Sequence, residues 1–78
     1  MAGNTKDDLM DLHINCVRAL RSYIAEANQT CKVLLDIESF PVPAEKRLEI
    51  LEQRRAENIA AQRYQDARQS LFAAAKWQ

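Results

Sequence analysis

The chain has 78 residues, eleven acidic and eleven basic, with one glycine and two prolines. That length bounds it to one domain with a small core, and the balanced charge excludes a global field that would steer it to nucleic acid or an anionic membrane. Its wealth of alanine, leucine, glutamine, glutamate and arginine disfavours a β fold, and its 47% hydrophobic content disfavours disorder.

The opening segment, MAGNTKDDLMD, is polar and acidic. It has neither the basic start and apolar run of a signal peptide nor a glycine at position 2 for myristoylation. No apolar run approaches membrane-spanning length. The expected compartment is the cytoplasm, although export without a cleaved signal would leave the same sequence. Thr5, three residues before Asp8, reads as a helix start close to a capping box. Asp7, Asp8 and Asp11 enrich the first turns in negative charge, as a helix N-terminus favours.

No helix breaker follows until Phe40-Pro41-Val42-Pro43. Each proline disfavours helix at the residue before it, and Pro43 suits the first turn of a following helix. The second arm then runs unbroken to the end of the chain. The expected organisation is one domain over residues 1–78: a helix over about 5–38, a Pro-x-Pro turn over about 39–43 and a helix over about 43–76. Each arm would be about 50 Å long. The short linker predicts an all-α, antiparallel two-helix hairpin.

Apolar spacing supports this. On the first arm Leu9, Met10, His13, Cys16, Val17, Leu20, Tyr23, Ile24, Ala27, Thr30, Cys31, Leu34 and Ile37 read as one helical stripe. On the second the stripe is Leu48, Leu51, Ala56, Ile59, Ala60, Tyr64, Ala67, Leu71 and Ala74. It slips between Leu51 and Ala56, which predicts a local change of supercoil there. Folding the arms about the prolines pairs residue numbers summing to roughly 82. Leu34 would then meet Leu48, and Tyr23 would meet Ile59.

Two helices make a seam and leave apolar residues over. Leu12, Ile14, Val33 and Leu35 flank the first stripe, and Ile50, Ala61, Phe72 and Trp77 lie off the second. Such a surplus on a short chain predicts a further partner. The expected solution is a homodimer forming a four-helix bundle, with another helical protein as the competing partner. The expected interface residues are Leu12, Val33, Leu35, Ile50, Tyr64, Phe72 and Trp77, the aromatic ones as anchors.

The stretch Leu12–Cys31 holds the only histidine and both cysteines. His13 and Cys16 share a helix face, but a structural zinc site needs four ligands. Cys31 lies about 22 Å further along the helix, beyond reach of a shared metal or a disulfide. No cofactor, metal or catalytic residue is expected, since no cleft or oxyanion pocket accompanies the His–Cys pair. The second arm carries Arg54, Arg55, Arg63 and Arg68, the residues of an alternative role in RNA binding. Interleaved glutamates make a mixed, solvated face the plainer reading.

In architecture alone, two helices about a turn with a surplus apolar face, the chain is similar to the plasmid-encoded Rop hairpins. That likeness implies a dimeric four-helix bundle. In length and shape it also resembles needle subunits and small co-chaperones of type III secretion, which would imply a secretion role. The function expected from the residues is a small non-enzymatic helical module for protein–protein interaction and oligomerisation.

Overall fold

A computed structural model describes residues 5–76, with side chains from Asp8 onward. Two helices carry the regular structure: α1, Thr5–Leu35, and α2, Ala44–Lys76. They fold back on one another as an antiparallel hairpin 61 Å long and 16 by 13 Å across. The expected capping role of the Thr5 side chain and the expected anchor Trp77 lie outside the described residues.

The turn forms earlier than the prolines alone suggest. Asp36 N–H still bonds the Lys32 carbonyl at 3.1 Å, but Ile37 N–H bonds Leu34 at 3.3 Å. This tightened three-residue step ends α1 at Leu35 and brings Ile37 inward to a half-buried position. The Phe40–Pro41 peptide is cis. Pro43 precedes α2, where its carbonyl accepts the first intrahelical bond from Arg47 N–H at 2.9 Å. It is thus a cap residue and not the first residue of the helix. Glu45 occupies the first turn of α2, as the helix dipole favours. The Lys46 ammonium bridges the turn, 3.3 Å from Glu49 and 3.9 Å from Asp36.

The seam between the helices differs from the stripes expected of the sequence. On α1, Leu9, Leu12, Cys16, Ala19, Tyr23, Glu26, Thr30 and Val33 are all buried or half-buried, as is Ile37 just past its end. On α2 the same holds for Lys46, Ile50, Gln53, Glu57, Ala60, Tyr64, Ala67, Leu71 and Ala74. Each series alternates steps of three and four without interruption, the a/d pattern of a coiled-coil seam. The expected slip after Leu51 is absent, because Gln53 and Glu57 occupy seam positions that a reading of apolar residues passes over. Leu48 and Leu51, expected inside, are each 59% exposed, and Leu34 is 50% exposed while its neighbour Val33 is buried.

The register is fixed near mid-length by two contacts. Gln53 Nε2 donates to the Glu26 carbonyl oxygen at 2.9 Å and to Glu26 Oε1 at 3.1 Å. The Thr30 hydroxyl donates to the same carbonyl at 3.0 Å. Tyr23 stacks on Tyr64, with ring centroids 6.3 Å apart and planes 8° from parallel, instead of meeting Ile59 as expected. Helical side chains lean toward their own N-terminus. In antiparallel helices these two rings therefore lean toward each other.

The core is thin. Among the described residues, only the apolar Val33 and Ala60 are buried, at 4% and 7% exposure. The chain exposes 6399 Å² of surface. A compact monomer of its 8.9 kDa would expose about 4,800 Å², so the excess is about 1,600 Å².

Candidate interaction surface

Relative to the seam, α1 carries a second apolar series one residue out of phase: Met10, His13, Val17, Leu20, Ile24, Ala27, Cys31 and Leu34. It too alternates steps of three and four along the helix. One residue is about 100° of helical rotation. The second stripe therefore stands at roughly a right angle to the face that α1 turns to α2. Met10, Ile24 and Leu34 are 59%, 49% and 50% exposed. Val17, Leu20 and Ala27, between them along the helix, are half-buried. The single stripe read from the sequence was the overlap of these two.

On the same side, α2 presents Arg47, Leu51, Arg54, Asn58, Ala61, Gln65, Arg68, Phe72 and Ala75. The Arg68 guanidinium lies 5.2 Å from the centre of the Phe72 ring, a cation–π contact one turn apart. At the end of the hairpin remote from the turn, Leu9, Met10 and His13 join Leu71, Phe72 and Ala75 around a shallow apolar depression. From Met10 to Leu34 and from Arg47 to Ala75, this side carries no carboxylate.

The opposite flank carries most of the charge, with Ile59, 45% exposed, as its one large apolar residue among those described. Asp11, Asp36, Glu45, Glu49, Glu52 and Asp66 stand on it with Arg18, Lys32 and Arg63. Its groove is lined by Arg18, Ser22 and Glu26 of α1 and by Ala56, Ile59 and Arg63 of α2, among others. Small residues at Ala19, Ala56 and Ala60 leave that groove open. The two flanks of one neutral chain thus differ sharply in character.

The expected interface residues separate into two groups. Leu12, Val33, Ile50 and Tyr64 pack within the hairpin's own seam, Val33 being only 4% exposed. Leu35 and Phe72 face solvent at 77% and 57% exposure. The four arginines considered for RNA do not form one stripe. Arg54 and Arg68 lie beside the apolar face, Arg55 points away from both flanks, and Arg63 lines the opposite groove. A single phosphate backbone following one groove would meet only some of them.

His13 is exposed beside the apolar depression, and Cys16 is half-buried in the seam. Among the described residues, no three potential metal ligands come together, and Cys16 and Cys31 are both free thiols. No helix there is long and apolar enough to cross a membrane.

What the sequence alone did not distinguish was which of two stripes turns inward. The signal was present in the strict heptad through Leu12, Ala19, Glu26 and Val33. Glu26 breaks its apolar character, so a hydrophobicity reading follows the other series. Fold and surface together define an all-α helical hairpin with an exposed second stripe of mainly apolar residues along α1. No protein-family model matches the chain, and no curated protein or solved structure matches it either.

Proposed function

We propose that the chain is a non-enzymatic helical interaction module, and that its working surface is the outer stripe of α1 from Met10 to Leu34. The observation that carries this reading is the stripe itself. It is a heptad-spaced series at a right angle to the seam, apolar but for His13, with Met10, Ile24 and Leu34 exposed and Val17, Leu20 and Ala27 half-buried, on an elongated molecule with about 1,600 Å² of surface in excess of a compact monomer. Such a face suits docking of another helical surface, which would complete a bundle around it. Two free thiols suit a reducing compartment, and the cytoplasm is the proposed place of action.

Site-specific photocrosslinking in cells tests the reading. A photoreactive residue at Ile24 is expected to give discrete protein adducts, while one at Asn15 or Gln29, on the opposite flank, gives none. Equal yields from both flanks, or no adduct from Ile24, would overturn it.

A further inference from the structure

We infer that the occupant of this surface is a second copy of the chain, placed by a two-fold axis that sets α1 antiparallel to α1 of its partner. The inference rests on the reading of α1 as a docking face and supplies the identity of what docks. Three observations carry it.

The first is angular. A helix with two heptad stripes about 100° apart has the geometry of a corner in a square bundle. One stripe faces the helix of its own hairpin, and the other faces a neighbour of equal length. The stripe runs from Met10 to Leu34, most of the 31 residues of α1, so its occupant is a helix of the same length.

The second is self-complementarity. Read in reverse, the stripe becomes its own mate: Met10 opposes Leu34, His13 opposes Cys31, Val17 opposes Ala27 and Leu20 opposes Ile24. Large residues meet smaller ones or one another, with no carboxylate buried. An isologous contact requires such a pattern, since each residue pair occurs twice. The same axis brings Leu51 of α2 toward Phe72 of the partner copy and places Ala61 near itself, where the backbones can approach. Arg54 of one copy and Arg68 of the other share the phase of Ala61 and face each other across the same axis, so their long stems lie along apolar surface and their guanidinium groups must turn outward to reach water.

The third is area. A standard stable interface buries about 1,600 Å² summed over both partners. Each elongated copy exposes about 1,600 Å² more than a compact chain of its mass, counted over its whole surface, and half of that from each copy equals an interface of standard size.

Sedimentation and disulfide trapping test the pairing together. Sedimentation velocity of the full chain at tens of micromolar is expected to give a dimer. Cys16→Ala leaves Cys31 as the only thiol. In the antiparallel arrangement two Cys31 residues lie at opposite ends of the contact, so mild oxidation gives no crosslinked dimer. Adding His13→Cys, at an exposed position, places a thiol opposite Cys31 of the second copy. Oxidation then gives a covalent dimer whose peptide map joins position 13 to position 31, within disulfide reach. Neither variant removes a large seam side chain, and circular dichroism at the sedimentation concentration verifies that both remain helical.

A monomer by sedimentation overturns the pairing. So does a Cys31–Cys31 crosslink in the Cys16→Ala chain, which is the mark of a parallel arrangement, or no crosslink in the double variant. A monomer that still gives adducts to a different protein from Ile24 refutes the second copy alone. Loss of adducts altogether refutes the docking face.

Discussion

Gln53 is the sharpest test of what holds the two helices in register. Its amide makes the only hydrogen bonds between α1 and α2 side chains or backbone found among the described residues, one to the Glu26 carbonyl and one to the Glu26 carboxyl. Gln53→Ala removes both. A neutral hydrogen bond contributes about 1 kcal/mol net and one to a charged group about 1.5–3 kcal/mol. Glu26 is only half-buried, so solvent screening brings the second toward the lower figure. The expected loss is about 2.5 kcal/mol. For a domain of this size that lowers the thermal midpoint by roughly 10–20 °C. Glu26→Ala removes the carboxylate and leaves the backbone carbonyl in place, so Gln53 keeps one of its two bonds. A double-mutant cycle then isolates the side-chain pair, with an expected coupling of about 1.5 kcal/mol. Urea melts at one fixed protein concentration give all four stabilities on the same footing, whatever the oligomeric state. A Gln53→Ala chain within about 0.3 kcal/mol of the parent would refute the polar layer as a source of stability.

Three further outcomes follow from the seam. Val33→Ala, at the more deeply buried of the two core residues, should cost about 2 kcal/mol, while Leu35→Ala two positions on should change stability by less than about 0.5 kcal/mol. The same denaturation assay reads both, and equal effects would contradict the assignment of Val33 to the seam. Ala60→Leu should destabilise by about 1–3 kcal/mol through overpacking at the close approach, measured as a lowered urea midpoint with unchanged slope. Replacing Tyr23 and Tyr64 singly and together by leucine should reveal a coupling of about 0.5–1.5 kcal/mol for the stacked pair. Strict additivity would mean that the rings contribute only their buried area.

The hairpin itself was legible in the sequence for a simple reason. Breakers occur only at Pro41 and Pro43, and good helix formers fill both arms. The inward face was not legible, because periodicity measures spacing and both α1 stripes have the same spacing. Val33 and Leu34 are equally apolar, and only the partner helix decides between them. On α2 the deciding positions are Lys46, Gln53 and Glu57, whose polarity hides them from a search for apolar repeats. These residues bury their stems while their ends bond or reach water, as Lys46 does at the turn. The four arginines set aside as an alternative RNA-binding set show the same limit of a linear reading. Arg54, Arg55, Arg63 and Arg68 are close in sequence, yet helical rotation distributes them over different sides.

The stacked tyrosines also give this molecule an intrinsic optical gauge. Tyr23 and Tyr64 are its only tyrosines, and they sit on different helices with nearly parallel rings. Excitonic coupling between them depends on separation and angle, so the near-ultraviolet tyrosine signal reports the docking of one helix on the other at mid-length. Backbone dichroism reports helix content alone. Recording the two during one melt separates helices that part while still coiled from helices that unravel together, with no label attached.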